Sequence, residues 1–374
     1  MQFQNKINNE QLVLKLIYEN PGLSRVDLTK ILKINKASMS EIINNLLFKE
    51  IINEVGSGNS TSKGGRKPIQ LEINYDYGLC MGIDIASNYI SFILANLNLE
   101  IISYDTIKIP INKDNVIGEV SKIIENNKKY YNKYKCGLIS VTMAIHGIVD
   151  YDDIRFTPNY NLDKINLVSN LKNLYPGLNF NLINESNASA LCEMIKSDIK
   201  DLVCINIGVG VGAGVIMNGK LITGINGYAG EIGHMIVVPN GKKCKCGNYG
   251  CFEQYCSEIA TVEYYNSIAE EKVEDLYKII ELYKKKDSYA IETILNDINY
   301  MSLLINNIMK IIAPEKIIIN SDLAYYIPNY IDLLYSKTNN THNQIIDISA
   351  SVFNKRSVLL GSVYNSITKF LSNF

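Results

Sequence analysis

The chain has 374 residues, of which 47% are hydrophobic and 20% charged, and its formal net charge is −1. This length predicts two or three domains with enough chain for a buried core, and the near-neutral charge excludes a protein that binds polyanions over its whole surface. The N-terminal sequence is polar and no run of 18 apolar residues occurs, so we expect neither a signal peptide nor contact with a membrane, and a cytoplasmic location.

Three helical patterns follow one another in the first fifty residues. The first, "NEQLVLKLIYEN", is predicted to bury Leu12, Leu16 and Tyr18 on one face. The second begins after Ser24, an N-cap residue that can form a capping box with Asp27. The third repeats apolar residues with helical period, at Met39, Ile42, Ile43, Leu46 and Leu47. The short linker "INK" between the second and third patterns predicts a helix-turn-helix, whose last helix enters the major groove.

Two β-like segments, "IINEV" and "PIQLEI", bracket a Gly- and Ser-rich loop that carries three basic residues and no acid. This is the pattern of a DNA-binding wing, in which Arg66 enters the minor groove. Residues 1–73 contain ten Lys and Arg against seven Asp and Glu. We expect a winged helix-turn-helix domain over residues 1–73, with DNA contacts from Lys36, Ser38, Ser40, Asn44, Lys63, Arg66 and Lys67. The alternative is a three-helix protein-interaction module with a flexible linker.

From Tyr75 onward, strands alternate with helices, which predicts an α/β fold with mostly parallel sheet and ligands at the carboxyl ends of strands. Asp84 lies near the end of the first strand of this region, and a turn at Gly147 follows the apolar strand in "GLISVTMAIHG". A helix is expected to open near Glu185, directly after the strand "FNLIN".

One histidine and three cysteines lie close together in "GHMIVVPNGKKCKCGNYGCFE". His234, Cys244, Cys246 and Cys251 complete the tetrahedral shell of a zinc ion, and the soft thiolates favour zinc over other metals. Because no position is left for water, the pattern indicates a structural Zn²⁺ rather than a catalytic one. A DNA-binding finger is not expected, since the basic wing and third helix lie far upstream; free thiols in a loop are the remaining alternative.

The segment "NGKLITGINGYAGEIGHM", followed by "CKCGNYGCFE", resembles the two signatures of the ROK (repressor, open reading frame, kinase) family, including C-x-C-G-x-x-G-C-x-E. The resemblance spans nearly the whole chain, and "RFTPNYN", "NESNASA" and "GGRKP" resemble the xylose repressors of Gram-positive bacteria. It implies an N-terminal winged helix-turn-helix plus a two-lobed actin-like ATPase (ribonuclease H-like) sugar-binding domain over residues 74–374. Lobe one would span about 74–195 plus the C-terminal helix, and lobe two, with the zinc site, about 196–355.

The resemblance also separates repressor from kinase. Residues 84–88 read Asp-Ile-Ala-Ser-Asn where kinases of the family have Asp-x-Gly-Gly-Thr, and residues 320–322 read Asn-Ser-Asp in place of a Gly-Gly loop. Added Cβ atoms and an aspartate both oppose a polyphosphate. Glu185 stands where the kinase base is an aspartate, which displaces the carboxylate by one methylene. We therefore expect no enzymatic activity.

The same resemblance implies a sugar site whose ligands are Asn159, Asn184, Glu185, Glu231, His234 and the backbone at Gly147. Taken alone, Asn184 and Glu185 equally fit a helix N-terminus. His234 would hold zinc through one nitrogen and a sugar hydroxyl through the other. His146 replaces the family's proline and either lines the site or fills space.

Together these patterns predict a repressor that leaves its operator DNA on binding a sugar, with xylose favoured, and that acts as a homodimer or a dimer of dimers. A related repressor that answers to another sugar, a phosphosugar or a protein partner is one alternative. The pocket motifs contain no Arg or Lys cluster, which counts against a phosphosugar. A sugar kinase with a DNA-binding head is the other alternative.

Overall fold

The computed structural model describes residues 2–57, 68–158, 160–163, 165–338, 347–354 and 356–374. At the N-terminus lie α1 (Gln2–Glu19), α2 (Arg25–Leu32) and α3 (Lys36–Phe48), followed by the antiparallel pair β1 (Ile52–Ser57) and β2 (Ile69–Ile73). The predicted capping box is present: the Asp27 amide donates to the Ser24 hydroxyl, and the Ser24 amide donates to the Asp27 carboxylate. The loop of the predicted wing, with Lys63, Arg66 and Lys67, lies outside the described residues.

The buried face of α1 differs from the predicted one. Val13, Leu14 and Ile17 are fully buried, whereas Leu12 is exposed. The helix packs on two sides, against β2 and α3 and against the C-terminal helix α14 (Arg356–Asn373), so its buried surface is rotated relative to a single amphipathic stripe. In α3 all the predicted core positions except Leu47 are buried.

The first large sheet has the strand order β5-β4-β3-β6-β9. Its strands are β3 (Leu79–Ile85), β4 (Ile90–Asn96), β5 (Ile101–Ile107), β6 (Leu138–Ile145) and β9 (Asn179–Asn184). The helices of this part are α4 (Val116–Asn126), α5 (Lys128–Tyr131) and α6 (Leu167–Leu174), and a small hairpin is formed by β7 (Ile148–Asp150) and β8 (Asp153–Phe156). We call this body lobe one.

The second large sheet has the order β12-β11-β10-β13-β14. Its strands are β10 (Leu202–Ile207), β11 (Val211–Met217), β12 (Lys220–Ile222), β13 (Lys316–Asn320) and β14 (Asp347–Ala350). Its helices are α8 (Glu253–Cys256), α9 (Glu258–Ile268), α10 (Leu276–Lys284), α11 (Ser288–Ile311), α12 (Asp322–Tyr326) and α13 (Tyr330–Lys337). Short 3₁₀ turns span Ile225–Gly227 and Ile232–His234. We call this body lobe two.

The two sheets have the same topology: three strands connected by hairpins, followed by two parallel strands. In each sheet two strand pairs are antiparallel and two are parallel, so the expectation of mostly parallel sheet is wrong. The reason is connection length, because β3–β4 and β10–β11 are joined by turns too short for a crossover helix.

Two helices pack against each other between the sheets. Helix α7 (Glu185–Ser197) follows β9, and α14 crosses it so closely that a Cβ on Gly361 would lie 1.7 Å from the Ala188 carbonyl oxygen. The opposite part of α14, at Val363, Ile367 and Leu371, shares one hydrophobic core with α1 to α3. The N-terminal helices are therefore packed on lobe one rather than tethered to it. Among the described residues, no helix combines the length and hydropathy needed to cross a membrane.

Candidate functional site between the lobes

The ends of β6 and β9 and the start of α7 bring the first group of polar side chains together. Asn184 is the N-cap of α7, where its Oδ1 accepts from the Asn187 amide at 3.0 Å. Its Nδ2 donates to the Gly147 carbonyl oxygen at 2.9 Å and to Glu185 Oε2 at 2.8 Å. Ser186 Oγ donates to Glu185 Oε1 at 3.0 Å. Asn184 therefore caps the helix, and together with Glu185 it forms a polar surface beside Gly147.

Asp84 and His146 form an ion pair at the ends of the neighbouring strands β3 and β6. Nε2 of His146 lies 2.9 Å from Asp84 Oδ1, and Tyr89 donates its hydroxyl to Asp84 Oδ2 at 2.8 Å. Tyr160 fixes both strand ends, since its hydroxyl donates to the Ile85 carbonyl oxygen and accepts from the His146 amide, each at 2.9 Å. Burial opposes the charged imidazole, but Asp84 and, more weakly, Glu185 raise the pKa of His146 to about 9.

Lobe two contributes Glu231, the N-cap of the 3₁₀ turn Ile232–His234, and His234, the last residue of that turn. Burial, with help from the charges of Glu185 and Glu253, raises the pKa of Glu231 to about 7. Burial also raises the pKa of Glu185, against the opposing effects of His146 and the Ser186 hydroxyl. Since the charge of Glu185 contributes to the raised pKa of Glu231, these two carboxylates, one from each lobe, lie within electrostatic range of each other.

We call Asp84, His146, Asn184, Glu185, Glu231 and His234 the interlobe cluster. It contains three carboxyl groups and two imidazoles, and the pKa of the His146 imidazole is raised. Among the described residues, no Lys or Arg side chain forms an ion pair with these carboxylates. The cluster is consequently rich in acceptors and short of positive charge. The remaining predicted sugar ligand, Asn159, lies outside the described residues.

His234, Cys244, Cys246 and Cys251 have ligand atoms that all lie within 4.8 Å of one another. Sγ of Cys246 is 3.6 Å from Sγ of Cys251, and Sγ of Cys244 is 3.6 Å from Nδ1 of His234. A tetrahedral zinc ion with bonds of roughly 2.0–2.3 Å spaces its ligands at about such distances. The donor set and its geometry therefore fit a metal ion with a closed shell.

The loop that carries the cysteines is folded tightly by its own backbone. Cys244 donates its amide to the Asn248 carbonyl oxygen at 2.8 Å. Gly250 has a φ of +79°, and a Cβ at this position would lie 1.7 Å from the Val238 carbonyl oxygen, so only glycine fits. The spacing of the C-x-C-G-x-x-G-C motif thus places the thiols on one side of a compact turn.

The two ring nitrogens of His234 face different groups. Nδ1 faces Cys244, whereas Nε2 is 3.8 Å from Glu231 Oε2. Glu253 is a neighbour that the sequence interpretation left without a role: its Oε1 is 3.6 Å from His234 Nδ1 and accepts from Cys244 Sγ at 3.0 Å. The signal for it was the final Glu of the C-x-C-G-x-x-G-C-x-E motif.

The region that corresponds to the kinase phosphate loops is closed by internal hydrogen bonds. After β3, the chain turns back at residues 86–89, where the Ala86 amide donates to the Tyr89 carbonyl oxygen. Nδ2 of Asn320 contacts Asn206 Oδ1 at 2.6 Å, and also the hydroxyls of Ser357 at 3.0 Å and Ser189 at 3.2 Å. The side-chain amide of Asn320 is therefore already used within the protein.

The predicted DNA-contacting residues of α3 lie away from its buried face. Lys36 and Asn44 are exposed, and Ser40, at four-residue spacing from both, is half-buried. Ser38 is also half-buried, and its amide donates to the N-cap Asn35 at 2.9 Å. Lys36, Ser40 and Asn44 therefore form one polar stripe opposite the core of the N-terminal helices.

The chain is similar to known proteins over its whole length. It is 34% identical to the xylose repressor of Staphylococcus xylosus over 87% of this chain and 85% of the relative. It is 30% identical to the xylose repressor of Caldicellulosiruptor bescii over 97% and 96%. A solved ROK family transcriptional regulator, described as a homologue of the Escherichia coli MLC protein, superposes with a TM-score of 0.82 at 25% identity, covering 98% of this chain and 97% of the other.

The lobes alone also resemble sugar kinases in fold. A ROK family glucokinase from Streptomyces griseus superposes with a TM-score of 0.68 at 22% identity and covers 77% of this chain and 99% of its own. The regulator thus covers 98% of this chain and the kinase 77%, so the regulator matches a part of the chain that has no counterpart in this kinase. Residues 80–364 match the ROK family, and the chain belongs to this family.

Proposed function

We propose that this protein is a transcriptional repressor without kinase activity that binds operator DNA through residues 1–73 and a neutral sugar through residues 74–374. The observation that carries the proposal is the interlobe cluster, which joins acceptor-rich side chains of both lobes in a chain that also has a winged helix-turn-helix pattern. Relatives that span nearly the whole chain carry the name xylose repressor, and xylose is the effector that we favour.

The charges of the cluster favour a neutral polyol over a sugar phosphate. Carboxylates and amides each bridge neighbouring hydroxyls of a sugar, whereas a phosphate is held by Arg, Lys or a helix N-terminus. Glu185 occupies the first turn of α7, so its own carboxylate already lies where that helix terminus would attract an anion. We infer that the sugar ligands are those predicted from the sequence: Asn159, Asn184, Glu185, Glu231, His234 and the backbone at Gly147.

The metal, which we propose to be zinc, has a structural role in this scheme. The thiol and imidazole set supports zinc over Mg²⁺ or Ca²⁺, which prefer oxygen ligands. A metal bound to His234 Nδ1 would fix the tautomer that leaves Nε2 free for a hydroxyl, because the two nitrogens cannot exchange roles while one is coordinated. Sugar binding and metal retention would therefore depend on the same side chain.

The DNA-binding part is proposed to use Lys36, Ser38, Ser40 and Asn44 of α3, with Lys63, Arg66 and Lys67 of the wing loop. Helix α14 packs on α7 at one part and shares a hydrophobic core with the N-terminal helices at another. A movement of the lobes around a sugar would therefore be transmitted through α14 to the DNA-binding part. In a homodimer, the form that we propose, such movement would alter the spacing of the two recognition helices. The sugar acts through its different affinities for the two arrangements.

The test is a gel shift on DNA from upstream of the protein's own gene, with and without xylose. We expect a retarded complex that xylose dissociates. Lys36→Ala should weaken the complex on all sequences alike and lower the salt slope by about 1, as loss of a phosphate contact does. Indifference of the complex to xylose and to every other neutral pentose and hexose would contradict the sugar-responsive part, and sugar-dependent ATP turnover would contradict the absence of kinase activity.

A further inference from the structure

His146 has features of a ligand that the sequence did not assign. Its side chain is 37% exposed although it is paired with the nearly buried carboxylate of Asp84. Nε2 is used by that pair, and among the described residues Nδ1 has no hydrogen-bond partner. The ring is therefore held in place through Nε2, whereas Nδ1 is available to a ligand. A histidine that merely fills space would not have this arrangement.

The surroundings fix both the position and the charge of this ring. Tyr160 anchors the His146 backbone, and Tyr89 lies edge-on to the imidazole with ring centroids 6.3 Å apart and an interplanar angle of 84°. Asp84 and Glu185 act on the ring from two elements, β3 and α7, and both stabilise its protonated form. With Nε2 donating to Asp84, a protonated ring presents Nδ1 as a second donor.

We propose that His146 is a direct effector ligand, whose Nδ1–H donates to one hydroxyl of the bound sugar. This inference rests on the proposed function and adds to it a specificity-determining residue. The side chains proposed above from Glu185 and Glu231 are acceptors, so a sugar hydroxyl that donates to one of them still has lone pairs to be satisfied. His146 supplies a positively charged donor on the lobe-one side, whereas His234 faces the cluster from lobe two.

The experiment is a cycle between protein variants and sugar analogues, measured by titration calorimetry on the full chain. The proteins are the wild type, His146→Ala, His146→Gln and, as a matched control, Tyr89→Phe, which removes the other donor to Asp84 and leaves His146 intact. The ligands are xylose and its 1-, 2-, 3- and 4-deoxy analogues. A hydrogen bond to a charged group predicts that His146→Ala weakens xylose binding by about 10- to 100-fold.

The analogue series separates contact from structure. For the one deoxy analogue that lacks the contacted hydroxyl, the wild type and His146→Ala should bind with equal affinity. For the other three analogues the difference in affinity between the two proteins, here called the gap, should remain. Tyr89→Phe keeps the imidazole, so it should bind xylose and the four deoxy analogues with the same relative affinities as the wild type. A gap that is the same for all five ligands, or no gap for any, overturns the role of His146; if His146→Ala does not fold, the same comparison is read from His146→Gln.

If the wild type binds none of a panel of neutral sugars, the proposed function is overturned. If the wild type binds sugar but His146→Ala weakens the binding of every analogue equally, only the role of His146 is overturned. If another sugar of the panel binds in place of xylose, its deoxy series is used.

Discussion

The two lobes have sheets of the same topology but place different chemistry at equivalent strand ends. At the end of the first strand, lobe one has Asp84 and lobe two has Asn206. Asp84 pairs with a partly exposed histidine, whereas Asn206 pairs at 2.6 Å with Asn320, whose amide group also contacts two buried serines. One strand end is charged and accessible, and the other is neutral and closed.

With the function proposed above, this difference would explain how a two-lobed fold keeps a sugar site without a nucleotide site. In lobe two the polar groups at the strand ends stabilise one another, so this lobe reaches the interlobe cluster through Glu231 and His234. In that segment, His234 is also one of the four residues that could hold a metal ion. Lobe one needs no such device, because its ligands lie directly on strand and helix ends.

The largest effect is expected from removing the metal cluster. Cys246→Ser should abolish zinc retention and the response to xylose, since the free energy of structural zinc binding, on the order of 10 kcal/mol in small zinc peptides, is folding free energy. Operator binding without sugar should persist, because lobe one and α1 to α3 share a separate core. Metal content by mass spectrometry and gel shifts with xylose measure both effects.

Cys136→Ser is the matched control, since Cys136 is also an exposed cysteine but lies outside the cluster. It should retain zinc and the xylose response. A Cys246→Ser protein that loses zinc and still responds to xylose would show that lobe two positions its ligands without the metal.

A second test exchanges charge at the equivalent strand ends. Asn320→Asp would place a carboxylate beside Asn206 Oδ1 in a buried network, which should cost about 3–5 kcal/mol of the free energy of unfolding. Asp84→Asn removes the buried member of a pair whose histidine is 37% exposed, so solvent can compensate the imidazole and the expected cost is smaller, about 1.5 kcal/mol. Urea unfolding of both variants measures the difference, and equal losses would mean that the two ends do not differ in their tolerance of charge.

The sequence predicted the features that depend on local spacing. The capping box at Ser24 and the clustering of His234 with the three thiols both follow from short motifs. The Asp84–His146 pair could not be predicted, because its members are 62 positions apart and meet only through the parallel register in which Ile85 lies opposite Ile145. The buried face of α1 was mispredicted for a related reason, since it depends on packing against α14 at the other end of the chain.

The smallest expected effect is a pH dependence that only the charged strand end should contribute. The pKa of His146 rises from 6.5 to about 9 on folding, so its pairing with Asp84 stabilises the protein fully below pH 6.5, and this stabilisation is lost as the pH rises through 9. Tyr89, Tyr160 and Glu185 also face the ring, and the charge of His146 lowers the pKa of Glu185, so the difference between the wild type and His146→Gln reports the imidazole together with its coupling to this carboxylate. Between pH 6.5 and 9 the wild type should lose more of its free energy of unfolding than His146→Gln, by on the order of 1 kcal/mol because the pair is partly exposed.

Urea unfolding at intervals across this range measures how the free energy of unfolding changes with pH in the two proteins. Asn206 and Asn320 do not titrate. If the free energy of unfolding changes with pH equally in the wild type and in His146→Gln, the Asp84–His146 pair contributes no more pH dependence than this neutral pair does.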